Sequence, residues 1–212
     1  GLETVGVGTS RFRLLTPTGE AEGVLPMHGR HNVLNALAAA SVATCFGVAA
    51  EEIASALSTA APSEMRGEVL RFRDGFTVVD DSYNSNPRSL LSMAESVAQG
   101  GENVKRRIIV AGEMLELGLE SATLHREAGR EIAGFGVEVL WGVRGDARAL
   151  VEGAREAGMS AEATRFFDSS EDAADALAAQ VRPGDLVLVK GSRGVHTERL
   201  VEALKERHER QG

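Results

Sequence analysis

From residue 65 to the end of the chain, short apolar segments alternate with helical patterns of about ten to fifteen residues. Parallel strands need a long connection between them, so this alternation favours a mostly parallel sheet with helices on both faces. The predicted strands are 68–72 and 76–79, joined as a hairpin at residues 74–75, then 107–111, 137–141, 164–167 and 185–189. The predicted helices are 87–98, 121–134, 146–157, 171–180 and a last one that ends near His208. The sequence therefore predicts an α/β fold with a three-layer domain.

A different pattern precedes this alternation. Three short β-like patches are typical of a small antiparallel meander; they lie at 5–7, 12–15 and 24–27, separated by Gly8, residues 16–19 and Gly23. An alanine-rich helix then runs to Phe46 and is closed by Gly47, and a shorter helix covers 51–58. Pro62 follows a stretch of alanine and serine and predicts a boundary between a first domain at 1–62 and a second at 63–212.

Composition excludes several classes of protein. The 212-residue chain has a formal net charge of -8 and a pI of about 5.2, so neither nucleic acid nor an anionic membrane is an expected partner. The sequence has no apolar run of membrane-spanning length, and its single cysteine, Cys45, rules out a disulfide framework and a thiolate zinc site. A cytoplasmic location is expected. The chain begins with Gly1 rather than methionine, which predicts a processed, tagged or excised chain.

Polar residues follow three of the predicted strands, at 80–86, 112–118 and 190–194. Crossover topology brings the carboxyl ends of parallel strands to one edge, where ligands bind in open α/β sheets. The last segment resembles an anion cradle, with Lys190 and Arg193 as charges and Ser192 as a donor. It lacks the complete Walker pattern, so either a phosphate or a carboxylate suits these groups.

Two adjacent carboxylates, Asp80 and Asp81, end the predicted strand at 76–79. Neighbouring side chains of an extended chain point to opposite sides, which argues against an acid and base pair acting on one bond. One of the two is expected to be structural, and the other either faces a ligand or caps the helix that starts at Pro87. Glu113 and Glu116 lie on a predicted loop, where solvation is expected.

Two amides, Asn32 and Asn35, are three residues apart at the start of the alanine-rich helix. This spacing places them on one face of the first turns, where side-chain amides can meet a ligand. The alternative is that Asn32 caps the helix and Asn35 is a tolerated polar position. Arg66 lies just past the predicted boundary, and from the residues alone it could simply be a surface arginine.

Four segments taken together, in this order along the chain, resemble the Mur ligase family: 29–36, 80–87, 112–118 and 189–193. The resemblance implies three domains in the complete protein. Residues 1–62 would be a small α+β remnant of the central ATPase domain, and residues 63–212 the whole carboxyl-terminal Rossmann-like domain. The sequence departs from the family pattern at Glu113, where aspartate is expected, at Ser85, where alanine is common, and at 194–196, where a serine and a methionine are typical.

Within the family, the motifs are most similar to those of the ligases that add D-alanyl-D-alanine to UDP-N-acetylmuramoyl-tripeptide in peptidoglycan precursor synthesis. The resemblance implies an ATP-dependent, amide-forming reaction through an acyl phosphate. Magnesium and the phosphate-binding loop are expected in a part of the central domain that this chain lacks, so the chain alone is expected to be inactive and to hold no metal. The protein is expected to be a monomer. Three alternatives remain: another Mur ligase, a ligase similar to folylpolyglutamate synthase, or a non-catalytic module that binds a nucleotide or a peptide.

The same resemblance implies which residues meet each substrate. The residues implied for ATP are Asn32, Asn35, Arg66 and Asp81, with Asp81 at the ribose. Amides can pair with a purine edge, and a carboxylate can accept from ribose hydroxyls. The residues implied for the dipeptide are Tyr83, Asn84, Asn86, Lys190, Ser192 and Arg193. A free carboxylate needs cationic or N–H donors, which this second set supplies.

Overall fold

The computed structural model describes residues 2–4, 9–27, 30–61, 63–101 and 103–211. The chain divides into two compact units, Gly1–Glu68 and Val69–Gly212. The division falls a few residues beyond the predicted boundary at Pro62, which itself lies outside the described residues. In the described part of the chain, no helix has the length and apolar character needed to cross a membrane.

The first unit contains a three-stranded antiparallel sheet in the order β1-β2-β3. Its strands are β1 (Leu2–Thr4), β2 (Ser10–Thr16) and β3 (Gly19–Leu25). The predicted meander is therefore confirmed, although its first patch, at 5–7, lies outside the described residues. The expected break at Gly23 is wrong: Gly23 pairs with Phe12 within the sheet, and a Cβ there would come within 2.5 Å of the Phe12 ring.

Two helices follow in the first unit, α1 (Arg30–Cys45) and α2 (Ala50–Ser58). Gly47 has a φ of 77°, a conformation that glycine adopts readily at helix ends, so the expected glycine stop is confirmed. A small core joins sheet and helices through Leu14, Ala40 and Ile53. The amino-terminal part of the chain is thus an α+β unit, as predicted.

The second unit contains six strands and five helices among its described residues. Its strands are β4 (Glu68–Arg71), β5 (Thr77–Asp81), β6 (Arg106–Gly112), β7 (Val139–Val143), β8 (Thr164–Phe167) and β9 (Asp185–Lys190). Its helices are α3 (Pro87–Gln99), α4 (Ser121–Gly134), α5 (Ala147–Glu156), α6 (Ser170–Gln180) and α7 (Glu198–Arg207).

These strands form one sheet in the order β4-β5-β9-β6-β7-β8. The pairs β5–β9, β9–β6, β6–β7 and β7–β8 are all parallel. The Phe72 N–H donates to the Phe76 carbonyl at 3.0 Å, and so short a connection between β4 and β5 allows only antiparallel pairing. The predicted mostly parallel sheet with an initial hairpin is confirmed.

Helices cover both faces of the sheet. Helices α6 and α7 pack on each other and share a core with one face, through residues such as Leu177, Leu200 and Val187. Helix α4 contacts both α3 and α5, and α3 and α5 also contact strands of the sheet. Alternation along a strand explains how both faces are filled, since Val78 belongs to the α6–α7 core while its neighbour Val79, also fully buried, points the other way. This three-layer arrangement is the predicted one.

An ion pair joins the beginnings of two central strands. Arg106 and Asp185 are partners in the β6–β9 register, and two guanidinium nitrogens donate to the two Asp185 oxygens at 2.9 and 2.6 Å. The hydrogen bonds that Arg106 donates to Asp185, together with the negative charge of that carboxylate, raise the pKa of Arg106 above its ordinary value against the opposing effect of burial. This pair therefore holds β6 to β9 at the beginnings of the two strands.

Candidate functional site

Three neighbouring strands end side by side at one edge of the sheet. Strand β5 ends at Asp81, β9 at Lys190 and β6 at Gly112. The register pairs Lys190 with Asp81 on one side and with Ala111 on the other. The three polar segments selected from the sequence therefore meet at this edge, called the carboxyl edge below, and the prediction that they gather there is confirmed.

Each strand end continues into a loop that carries residues of interest. The loops are named the Tyr83 loop (82–86, after β5), the Leu115 loop (113–118, after β6) and the Arg193 loop (191–194, after β9). Because β9 lies between β5 and β6, the Arg193 loop starts between the other two.

A buried ion pair joins the Arg193 loop to the Tyr83 loop at their roots. The Lys190 ammonium donates to Asp81 Oδ2 at 2.6 Å and to the Asn84 carbonyl at 2.8 Å. The Lys190 side chain is 4% exposed and that of Asp81 is 12% exposed. The ammonium therefore has two oxygen partners inside the protein and points inward, and the lysine fastens β9 to the turn after β5.

Helix α3 is capped by an amide rather than by a carboxylate. Asn86 Oδ1 accepts from the Ser89 N–H at 2.9 Å, and Ser89 Oγ accepts from the Asn86 N–H at 3.1 Å. Asp80 Oδ1 instead accepts from the N–H and the hydroxyl of Ser82. The alternative that Asp81 caps the helix is therefore wrong, and the expectation that one of the two carboxylates is structural holds for Asp80.

The hydroxyl of Ser192 connects all three loops. Its Oγ accepts from the Leu115 N–H at 2.9 Å and lies 3.4 Å from the Ser85 carbonyl, to which it donates. The Ser192 N–H also donates to the Glu113 carbonyl at 3.4 Å. Ser192 is 4% exposed, so it acts here as an internal bridge between loops.

Two glycines let the loops approach each other closely. A Cβ on Gly112 would come within 2.7 Å of Thr197 Cγ2, and a Cβ on Gly191 would come within 2.7 Å of Thr197 Oγ1. Thr197 is fully buried and cannot move into solvent. The absence of side chains at these strand ends is therefore required for the packing beneath the loops.

The outer surface of the carboxyl edge is formed by three of the predicted dipeptide contacts. Tyr83, Asn84 and Arg193 are exposed, and the Arg193 guanidinium lies 5.9 Å from the centre of the Tyr83 ring. An Arg193 nitrogen also lies 3.7 Å from a carboxylate oxygen of Glu198. Of the other three predicted contacts, Lys190 and Ser192 are buried in the bonds described above, and Asn86, although exposed, is bonded to Ser89 in the α3 cap. The surface therefore presents an arginine, an aromatic ring and an amide.

Sequence reasoning missed one cation at this edge. Arg144 directly follows β7, has a φ of 68°, and donates from Nη1 to the Gly194 carbonyl at 2.7 Å. Its side chain is exposed and therefore brings a second guanidinium to the Arg193 loop. An arginine immediately after a buried strand was the signal, but the predicted strand ended at residue 141, two residues before the observed end of β7.

Glu113 does not follow the expectation of a solvated loop residue. It is half-buried, and its Oε1 accepts from the Asp146 N–H at 3.1 Å, at the beginning of the helix after β7. The Glu113 N–H donates to the Val143 carbonyl at 2.9 Å. Glu113 thus holds the Leu115 loop against the end of β7, whereas Glu116 is exposed as expected.

The residues predicted for the nucleotide are divided between the two units. Asn32 and Asn35 lie in α1, and the Asn35 amide donates to Asn32 Oδ1 at 3.4 Å, so the prediction that they share one face is confirmed. Arg66 is exposed and also belongs to the first unit, whereas Asp81 belongs to the second. Their assignment to ATP remains a prediction.

The carboxylates at the carboxyl edge do not fit a magnesium site. Magnesium prefers several oxygen ligands in octahedral geometry. Asp81 is paired with an ammonium, and Asp80 accepts two hydrogen bonds from one serine. Within the described ranges, no group of three or more His, Cys, Asp or Glu side chains is placed to hold a metal ion.

Comparison with known proteins agrees with this architecture. The family model described as "Mur ligase, glutamate ligase domain" matches residues 65–193, more than half of the chain. The chain therefore belongs to the Mur ligase family. The match covers the parallel sheet, the Tyr83 and Leu115 loops, and the Arg193 loop as far as Arg193.

Its relatives include proteins of one name, UDP-N-acetylmuramoyl-tripeptide--D-alanyl-D-alanine ligase. The Bacillus subtilis protein is 31% identical over 86% of this chain and 39% of its own length. The Escherichia coli protein is 30% identical over 93% of this chain and 42% of its own length, and one from Mycobacterium tuberculosis is 36% identical over 92% and 41%. A crystal structure of MurF from Acinetobacter baumannii superimposes with a TM-score of 0.85 at 30% identity, covering 97% of this chain and 44% of that one. The chain spans about two fifths of the length of the curated relatives that it matches.

Proposed function

We propose that this chain is the carboxyl-terminal part of an enzyme that joins D-alanyl-D-alanine to UDP-N-acetylmuramoyl-tripeptide in the cytoplasm. One observation carries the proposal: relatives from distantly related bacteria share that single activity name and match about nine tenths of the chain at 30–36% identity. The cationic carboxyl edge of the sheet supports it, because an incoming dipeptide carries a free carboxylate.

The proposed reaction has two steps. The γ-phosphoryl group of ATP passes to the tripeptide carboxylate, which gives an acyl phosphate and ADP. The dipeptide amine then attacks the acyl carbon, the C–O bond to phosphate breaks, and the amine loses a proton as the amide forms. Catalysis of this kind depends on holding the amine close to the acyl carbon and on excluding water. We assign to this chain the capture and orientation of the dipeptide.

For the dipeptide, we propose contacts from the outer surface of the carboxyl edge. The guanidinium of Arg193 can pair with the dipeptide carboxylate, and Tyr83 and Asn84 are exposed beside it. Lys190 and Ser192 belong to the same site in a supporting role, because their polar atoms hold the loops that present these groups. Asn86 contributes by fixing the start of α3.

For the nucleotide, we propose contacts from Asn32, Asn35, Arg66 and Asp81. The paired amides on α1 offer donors and an acceptor suited to a purine edge. Lys190 binds Asp81 Oδ2, so Asp81 Oδ1 is the oxygen proposed to accept from a ribose hydroxyl. Magnesium is proposed as the counter-ion of ATP, and no step assigned to this chain depends on it.

Phosphate release by the complete protein tests the proposal. The complete protein, which joins this chain to the part of its relatives that the chain does not cover, should release phosphate from ATP only when UDP-N-acetylmuramoyl-tripeptide and D-alanyl-D-alanine are both present. Arg193→Ala should raise the KM for the dipeptide more than that for ATP. The matched control is Arg199→Ala, since Arg199 is a half-exposed arginine in α7 whose ion pair is with Glu171 of α6.

Other outcomes would assign a different function. Release that depends on a single amino acid with a shorter precursor would make the protein another Mur ligase, and release that depends on folate and glutamate would make it a folylpolyglutamate-synthase-like enzyme. Binding of nucleotide or peptide with no turnover would leave a non-catalytic binding module.

A further inference from the structure

A histidine lies completely buried behind the carboxyl edge. His125, in the second turn of α4, has no exposed surface. Its Nε2 lies 2.9 Å from the backbone nitrogen of Met114, and its Nδ1 lies 2.7 Å from the Ser121 carbonyl oxygen. A backbone N–H can only donate and a carbonyl can only accept, so Nε2 must be the acceptor and Nδ1 must carry the proton. Both ring nitrogens are therefore used, each in a role that its partner dictates.

The Met114 contact belongs to a series of three bonded amides in the Leu115 loop. The Glu113 N–H donates to the Val143 carbonyl, the Met114 N–H to His125, and the Leu115 N–H to Ser192 Oγ. These acceptors lie on three different elements, namely β7, α4 and the Arg193 loop. A loop without regular pairing commonly bonds to water, but this one is held at three successive residues by the protein itself.

The order of these bonds links the histidine to the proposed site. Met114 and Leu115 are neighbours, so the peptide group whose N–H bonds His125 directly precedes the one whose N–H bonds Ser192. Ser192 in turn precedes Arg193 and lies beside the Tyr83 loop through the Ser85 carbonyl. A change at His125 is thus expected to reach the Arg193 loop through two consecutive peptide groups, although the ring itself touches neither a ligand surface nor solvent.

We propose that His125 is a positioning residue for the second substrate: its Nε2 orients the Met114 peptide, which fixes the Leu115 loop and, through Ser192, the Arg193 loop. The contact with Met114 follows from the geometry, whereas the effect on the dipeptide rests on the proposed function. The rival role is simple packing, in which the shape of the ring fills space and its nitrogens are incidental.

Two substitutions separate the acceptor from the shape. Glutamine places an amide oxygen near the position of Nε2, so His125→Gln can still accept from Met114. Asparagine places its amide near the position of Nδ1, so His125→Asn keeps a donor for the Ser121 carbonyl and loses the acceptor for Met114. Both remove the aromatic ring, and packing alone predicts similar damage from the two.

The first measurement is hydrogen exchange in the complete protein, followed in peptides that cover residues 113–118. H125N should speed exchange of this segment by roughly tenfold or more, because a buried amide loses its acceptor, while H125Q should stay close to wild type. An H125N protein that does not fold beside an H125Q protein that does would also place the essential contact at Nε2. Equal exchange in the two variants, whether fast or slow, would overturn the proposal.

The second measurement is steady-state kinetics with the dipeptide varied. H125N should raise the KM for D-alanyl-D-alanine by roughly tenfold and change the KM for ATP much less, and H125Q should restore most of the loss. In the H125N/S192A double variant, the KM for D-alanyl-D-alanine should rise by less than the product of the two single fold-changes, since both substitutions act through the Leu115 loop. Independent effects would contradict the proposed route.

The two measurements also separate this inference from the function on which it rests. If the wild-type protein shows no turnover that depends on the dipeptide, the proposed function fails while exchange still decides the His125 contact. If the wild type turns over and the two variants match it, the positioning role fails and the function stands.

Discussion

Removing the charge of Asp81 tests whether the buried pair with Lys190 holds the carboxyl edge together. Asp81→Asn keeps the shape of the side chain but leaves the ammonium facing an amide oxygen and the Asn84 carbonyl. The two side chains are 12% and 4% exposed, so solvent can screen little of the loss. Breaking a buried pair in this way costs about 3–5 kcal/mol, and we expect about 3 kcal/mol because asparagine still accepts one bond.

Urea unfolding followed by tryptophan fluorescence measures this loss directly. Trp141 is the single tryptophan, is 3% exposed and lies in β7 of the same unit. The matched control is Asp168→Asn, which makes the same chemical change in a pair where the aspartate is 87% exposed and the partner Arg148 57% exposed. The control should lose less than about 1 kcal/mol, because exposed pairs contribute little.

A double variant completes the test. D81N/K190M removes both charges, so its loss of unfolding free energy should be smaller than the sum of the two single losses. The reasoning that this pair is structural is refuted if D81N lowers the free energy of unfolding no more than Asp168→Asn does. It is also refuted if the losses of the two single variants simply add in the double variant.

Three further predictions concern the same unit. Gly112→Ala should cost about 1–3 kcal/mol in urea unfolding, because its methyl group would lie 2.7 Å from a buried threonine, whereas Gly134→Ala in α4 meets nothing within 4 Å and should be neutral or slightly stabilising. Asn86→Ala should cost about 0.5–2 kcal/mol through loss of the α3 cap, and Asn86→Ser should restore most of it. The hydrogen bond from Arg130 is the largest of the effects that lower the pKa of Glu156, so its ionised form stabilises the fold above the ordinary glutamate pKa, and this contribution disappears as the pH falls through the lowered value. Glu156→Gln should therefore weaken the dependence of the unfolding temperature on pH in the acid range.

Hydrophobic patterning was sufficient to predict the elements of the second unit because buried parallel strands are short, continuous apolar runs between helical patterns. The error at β7 has a specific cause. Gly142 lies inside that strand, one residue beyond the predicted end, and glycine usually weakens strands. In the structure, a Cβ at Gly142 would come within 2.4 Å of the Ala147 carbonyl, so this glycine allows the following helix to pack closely on the strand. That shift concealed Arg144 at the strand end.

The locations of the site loops were also readable from the sequence, but the partners of their side chains were not. Lys190 was selected as a ligand cation because a lysine after a strand, followed by glycine and serine, suits an anion. Its actual partner is 109 residues earlier in the chain, and the two meet because β9 is inserted beside β5 in the sheet. Pairing of this kind depends on strand order, which the local pattern does not contain.

The sequence by itself thus determined the α/β class, the meander before it, the segments that carry polar groups and the family to which they belong, because these depend on local periodicity and on short motifs. The tertiary structure decided which of those polar groups face inward. Lys190 and Ser192 bond other loops, Asn86 caps a helix, and Tyr83 and Arg193 remain at the surface. The physical reason is that a polar side chain near a sheet edge bonds whichever partner the neighbouring strands bring within about 3 Å, and only the assembled sheet places those partners.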